Sequence, residues 1–267
     1  MAGRLTVCAT PIGNLDDLTP RVRAALAACD LVACEDTRRT GQLLHLLGID
    51  ARMVAIEAHR EEAALPRILE RLAKGGHVCL ATDAGMPLVS DPGGATVRAA
   101  IAAGADVEVL PGADAVTTAL VASGLPTDRF AFVGFLPRGA AAIARVLDEA
   151  DGWGMTLVAF ESPARLPATL ALLAERAPDR RVAVCRELTK LHEEVARGTA
   201  AELATRFAAA PKGEIALVLA PVAAPSADDT AVATALAALR AHGLGAKDAA
   251  RIVADLTGRS ARELYRP

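Results

Sequence analysis

Seven short segments of the 267-residue chain combine carboxylates, cations and residues that bend the backbone. ATPIGNLDDLTPR (9–21) sets Pro11 and Gly13 in a tight turn beside Asn14, Asp16 and Asp17. ACEDTRRTG (33–41) places an acidic pair directly before two arginines. There Asp36 could hold a ligand hydroxyl, and Arg38 and Arg39 could contact phosphate. ATDAGMPLVSDPGG (81–94) is the richest: its glycines and prolines between 85 and 93 exclude regular structure, and Asp83 and Asp91 flank it. Glycine there lets backbone lie against a flat ligand. LPGADAVTTAL (110–120) joins a strand to a helix whose first N–H groups could bind a carboxylate. FESPARL (160–166), CRELTKLHEE (185–194) and PKGEIAL (211–217) set Glu161, Arg186-Glu187 and Lys212 next to apolar runs. A charge in that position needs a partner or water. Any one of the three reads as structural ion pairing; together they read as a cleft facing the first half of the chain.

The spacings G-x-G-x-x-G and G-x-x-x-x-G-K-[ST] are both absent. A nucleoside ligand without phosphates, such as S-adenosylmethionine, therefore fits the 81–94 loop better than a nucleotide. Cys8, Cys29, Cys34, Cys79 and Cys185 form no CxxC pair, so they read as free thiols of a reducing cytoplasm, and no metal site is expected.

The elements that position these segments follow from apolar periodicity. Strands are expected at 5–10, 31–35, 77–83 and 107–110, and helices at 19–29, 42–47, 60–75, with Pro66 near its first turn, and 94–103. This alternation predicts a mainly parallel sheet covered by helices on both faces, with ligands beyond the carboxyl ends of its strands. A helix over 113–123, broken by Gly124 and Pro126, leads into a second half with strands at 130–135, 155–162, 181–188 and 214–221 and helices at 143–149, 163–176 and 200–209. A domain boundary is placed within 112–127. VAAPSADD (222–229) reads as a linker to a helical pair over 230–242 and 246–256. The net charge of −3 excludes a phosphate-coating protein, and an aromatic content of 3% argues against a base-stacking platform. No apolar run is long enough to span a bilayer and the N-terminus lacks a signal-peptide pattern, so a soluble cytoplasmic protein is expected.

In this order, TPIGNLDDLT, ACEDTRRTG, TDAGMPLVSDPGG, LPGADAVTTALVASGLPTDRF with GFLPR, FESPARL, RELTK with EEVARGT, KGEIALV and the C-terminal ELYR resemble the ribosomal RNA 2′-O-methyltransferases of the tetrapyrrole methylase superfamily. The resemblance implies an α/β, two-domain tetrapyrrole-methylase-like fold, with domains over 1–115 and 116–222 and a linker and helical appendage over 223–267. It implies methyl transfer from S-adenosylmethionine to the ribose 2′-hydroxyl of a cytidine in 16S ribosomal RNA of the small subunit, by a homodimer. It also implies that Pro11, Asp83, Ala84, Gly85, Met86, Ser90, Asp114, Ala115, Phe160, Glu161, Leu188, Gly213, Glu214 and Ile215 surround the donor.

The chain departs from the expected pattern at Thr82, Met86, Ala113-Asp114, Ala164 and the GAAAIAR that follows GFLPR, where a basic stretch is usual. A 2′-hydroxyl needs a hydrogen-bond acceptor to become nucleophilic. Glu187 and Glu161 are the candidate acceptors. Arg186, Lys190 and Lys212 are candidates for holding RNA phosphates or lowering the hydroxyl's pKa, and Asp36, Arg38 and Arg39 for meeting the RNA. A methylase of a tetrapyrrole or protein on the same fold, and a non-catalytic ribosome-associated RNA-binding factor, stand as alternatives.

Overall fold

The computed structural model describes residues 3–56, 61–222 and 229–265. Its first sheet contains β1 (Arg4–Cys8), β2 (Leu31–Cys34), β3 (Met53–Ala55), β4 (His77–Ala81) and β5 (Asp106–Leu110). They run parallel in the order β3-β2-β4-β1-β5. The central strands are near-continuous apolar runs because both faces are covered. On one face, Leu5, Val7, Val78 and Leu80 meet Ile68 and Leu72 of α3 (Glu61–Ala73) and Ala100 of α4 (Gly94–Ala102). On the other, Cys8, Val32, Cys34 and Cys79 meet Val22 and Leu26 of α1 (Pro20–Ala28) and Leu44 and Leu47 of α2 (Thr37–Leu47). All five cysteines are free thiols, and burial pushes those of Cys34 and Cys185 up to about 11.

The second sheet is mixed. It contains β6 (Phe130–Phe135), β7 (Thr156–Glu161), β8 (Arg181–Arg186), β9 (Glu194–Thr199) and β10 (Ile215–Leu219), in the order β6-β7-β10-β8-β9. Strand β6 runs parallel to β7, whereas β10 is antiparallel to both β7 and β8, and β9 is antiparallel to β8. One face packs against α5 (Ala115–Ser123) through Val116, Ala119 and Leu120. The other packs against α6 (Ala140–Trp153), α7 (Leu166–Arg176) and α8 (Ala200–Arg206). At the C-terminus α9 (Asp229–Ala241), α10 (Ala246–Thr257) and the short α11 (Ala261–Leu264) share a small core of Val232, Ala250, Val253 and Leu264. No helix among the described residues is long and apolar enough to cross a membrane.

The structure differs from the sequence reading in several elements. Helix α2 starts at Thr37, not at 42, because the Asp36 carboxylate caps it by accepting from the Arg38 N–H at 2.8 Å. This puts Arg38 and Arg39 in a first helical turn instead of a loop. Pro66 lies inside α3, in its second described turn; the residues just before Glu61 are outside the described set. Strands β3 and β9 and helix α11 were not expected. Of the expected linker, residues 223–228 lie outside the described residues.

The hairpin of β8 and β9 feeds α8 through a reciprocal cap. Thr199 Oγ1 accepts from the Glu202 N–H at 3.2 Å, and Glu202 Oε2 accepts from the Thr199 N–H at 2.8 Å. Thr199→Ala is expected to cost about 1 kcal/mol, read as a melting temperature lower by about 2–4 °C.

Candidate active site

Parallel strands in the first sheet send the loops after β1, β2 and β4 to one edge of that sheet. In the second sheet β10 runs antiparallel to β7 and β8, so its amino end lies beside their carboxyl ends. These two edges enclose a cleft of about 400 Å³. Ile12, Glu35, Arg39, 83–86, 89–91, Asp114 and Ala115 line it from the first edge and the start of α5. Phe135, 160–163, Cys185, Leu188 and 213–216 line it from the second.

Several of the wall segments are turns with strained backbone. Thr10 and Gly85 exchange N–H···O bonds of 2.9 and 3.0 Å, and Thr10 Oγ1 donates to the Thr82 carbonyl at 3.1 Å. Gly85 sits at φ +83°, where a side chain would be strained, and an added Cβ would lie 3.2 Å from Ile12 Cγ2. Among the described residues, the non-glycine residues with positive φ are Leu88, Ser90, Glu187 and Thr189. All four fall in two segments: the loop after β4 and the β8–β9 connection. Such conformations cost on the order of 1–3 kcal/mol each and persist where the surroundings impose them. The two edges also touch, since a Cβ on Gly13 would collide with the Lys190 side chain and lie 3.0 Å from the Leu188 carbonyl.

Acidic groups concentrate at the end of the cleft nearest β2. Thr82 Oγ1 donates to Glu35 Oε2 at 2.9 Å. Asp83 accepts the Asp36 N–H at 3.2 Å and faces Arg39 Nε at 3.4 Å. Burial, followed by the Glu35 carboxylate, holds Asp83 above the usual carboxylate range. Burial pushes Asp91 up to about 6, and the Glu35, Asp83 and Glu214 carboxylates add to the rise.

The residues expected around the donor gather at the cleft: 83–86, Ser90, Asp114, Ala115, Phe160, Glu161, Leu188 and 213–215 all line it. Pro11 is next to the lining residue Ile12 but does not itself line the cleft. The start of α5 is not an open carboxylate site. Asp114 already accepts the N–H groups of Val116 and Thr117 at 3.1 and 3.2 Å.

Both candidate acceptors are already engaged by neighbouring groups. Glu161 is 2% exposed, and its carboxylate accepts from Ser162 N at 2.7 Å, Arg165 Nε at 2.7 Å and Nη2 at 3.0 Å, and Thr169 Oγ1 at 2.7 Å. It anchors Arg165, whose guanidinium also donates to the Leu136 carbonyl at 2.6 Å. Glu187 does not line the cleft; its Oε1 accepts from Lys190 Nζ and the Glu214 N–H, both at 2.8 Å. Those bonds hold its carboxyl below the usual range, so it binds a proton weakly.

The expected cations are similarly occupied. Lys190 bridges Glu187 and Glu214 at 2.8 Å each. Arg186 pairs with Glu194 at 2.8 Å and donates to the Lys212 carbonyl at 3.1 Å. Hydrogen bonds from Arg38 hold Asp36 down at about 2. Arg38 and Lys212 are exposed outside the cleft, while Arg39 lines it. Glu35 and Phe135 were missed by the sequence reading. Glu35 carried a signal, standing directly after the apolar run of β2.

The sequence profile of the Tetrapyrrole (Corrin/Porphyrin) Methylases matches residues 4–204. The chain is 44% identical to a protein of Mycobacterium bovis named Ribosomal RNA small subunit methyltransferase I, over 99% of this chain and 94% of that one. It is 40% identical to the protein of the same name from Xylella fastidiosa, over 98% of each. The fold is similar to a crystal structure of a diphthine synthase, with a TM-score of 0.65 and 17% identity over 82% of this chain and 90% of that one.

Proposed function

Because the chain belongs to the tetrapyrrole methylase family, and within it to the small-subunit ribosomal RNA methyltransferases I, we propose that it moves a methyl group from S-adenosylmethionine to the 2′-hydroxyl of a cytidine in 16S ribosomal RNA. The observation that carries this reading is the single cleft into which the 83–86, 160–161 and 213–215 segments converge from both sheets. Its volume lies in the range of ordinary small-molecule sites, which is roughly 300–1,000 Å³. Its features fit a nucleoside with a charged tail: apolar walls at Ile12, Leu188 and Ile215, backbone edges at 84–86 and 213–215, and carboxylates at one end.

The donor, when bound, supplies a methyl group on a sulfonium that is already a good leaving group. The chain's contribution is mainly orientation, which can be worth on the order of 7–11 kcal/mol. The backbone of 83–86 and 213–215 holds one reactant, and Ile12, Leu188 and Ile215 exclude water from it. Asp91 accepts the proton of the ribose hydroxyl. It lines the cleft, and a carboxyl at about 6 is ionised at neutral pH yet still basic enough to take a proton. Burial raises it to that value, and repulsion from Glu35 and Asp83 adds to the rise. Arg39, at the mouth of the same pocket, is the cation placed to meet phosphate. The protein works in the cytoplasm, in keeping with its five free thiols, and as a homodimer.

Calorimetry with S-adenosylmethionine and its demethylated product tests the donor site. Gly213 has φ +101°, and a Cβ there would collide with the Glu187 side chain that supports this loop. Gly213→Val is expected to weaken donor binding more than tenfold while circular dichroism stays that of the parent. Equal affinity in parent and variant would place the donor elsewhere.

A further inference from the structure

The chain has only five phenylalanines, one tryptophan and one tyrosine, yet Phe132, Phe135 and Phe160 form a single cluster at the cleft. Phe160 is the centre. Its ring lies 4.9 Å from that of Phe132 and 5.5 Å from that of Phe135, edge to face in both cases. Phe132 and Phe160 are half-buried against the core under α5. Phe135 is 60% exposed although it lines the cleft.

This exposure is built into the strand. Residues three apart on a regular strand point to opposite faces. Here the pairing of β6 with β7 runs in register to Phe132↔Val158 and then shifts, so that Phe135 stands opposite Phe160. The extra residue is a bulge, with Gly134 at φ +68°, and it turns Phe135 to the side where Phe132 and Phe160 already lie. A Cβ on Gly134 would lie 3.5 Å from Ser90 Oγ, so the bulge rests against the loop that carries Asp91. The backbone beyond is fixed: the Leu136 N–H donates to the Phe160 carbonyl at 3.0 Å, and Arg165 donates to the carbonyls of Leu136 and Pro137. An exposed aromatic ring on an anchored backbone is a stacking surface for a flat π system.

We propose that Phe135 stacks on the nucleobase of the ribose that is methylated, holding an unstacked pyrimidine at the mouth of the cleft. The inference rests on the RNA reading above and names the residue that grips the base. The donor's adenine is the other flat group available. The ring's exposure at the cleft wall favours the RNA base, and donor affinity separates the two sources.

The test uses Phe135→Ala, Phe135→Leu and Phe135→Trp in the full chain, the last in a Trp153→Phe background so that the introduced indole is the only one. Three quantities are read: donor affinity by calorimetry, kcat/KM for methyl transfer to unmodified 30S subunits, and indole fluorescence on adding oligocytidylate. Base–aromatic stacking is worth about 1–3 kcal/mol per base, or roughly 5- to 150-fold. The alanine and leucine variants are expected to lose kcat/KM in that range at unchanged donor affinity. The tryptophan variant is expected to retain activity, and oligocytidylate to quench its fluorescence. Kinetics within twofold of the parent for alanine and leucine would overturn the proposal, as would donor affinity falling in step with activity. If the parent enzyme itself fails to methylate 30S subunits, the RNA reading fails. The fluorescence then decides stacking alone: quenching supports it and an unchanged signal overturns it.

Discussion

Asp91→Asn is expected to lower kcat for methyl transfer by about 10²–10⁴, the usual contribution of a positioned general base, while leaving donor affinity unchanged. The parent enzyme's log kcat/KM should fall with unit slope below about pH 6, where Asp91 takes up its proton. Glu35→Gln should move that break to lower pH, because it removes a like charge that raises Asp91. Stability should change in the opposite direction from activity. The folded state holds Asp91 above its unfolded pKa of about 3.9, so the ionised group opposes folding, and it does so fully above about pH 6. Asp91→Asn should therefore raise the melting temperature at pH 7.5, and this gain should disappear as pH falls through 6 toward 4. A variant that keeps its activity and loses stability would reduce Asp91 to a structural residue of the 81–94 loop.

Glu161→Gln is expected to act on stability. The buried carboxylate faces two N–H groups of Arg165, the Ser162 N–H and the Thr169 hydroxyl. An amide offers one acceptor where there were two, and turns an NH₂ toward groups that themselves donate. Losing one side of such a buried network costs about 2–4 kcal/mol, given that Arg165 remains about a third exposed. Thermal denaturation should show a melting temperature lower by about 5–10 °C. Methyl transfer measured well below that temperature should keep the parent's pH profile. An unchanged melting temperature with a large loss of kcat would return Glu161 to the role of base.

The alternation of apolar runs and helical stretches was legible because central strands covered on both faces carry no polar alternation to confuse the pattern. The cleft loops were legible for a different reason. Gly85, Pro87, Pro92 and Gly93 punctuate one strand end, and such ends gather wherever parallel strands share a sheet. The chemistry at those loops was harder to read. Glu161 and Glu187 both follow apolar runs, but proximity in sequence does not show whether a charge finds its partner locally. Arg165 is four residues from Glu161, and Lys190 three residues from Glu187, so both carboxylates are neutralised within their own segments. Asp91 shows the reverse: its raised pKa comes first from burial in the closed cleft and then from carboxylates that include Glu35 and Glu214, which only that cleft brings near. Strand β9 escaped notice because Arg197 and Gly198 interrupt a short run, and its pairing with β8 decides its structure. Phe135 depended on a bulge that a sequence of plain alternation does not announce.

The decisive measurement transfers labelled methyl from S-adenosylmethionine to 30S subunits that lack their native 2′-O-methyl groups, then digests the 16S RNA with alkali and maps the label. Label is expected in an alkali-resistant dinucleotide whose methylated ribose carries cytosine. Label in a base or a ribosomal protein, or no label from an enzyme that binds the donor, would contradict it.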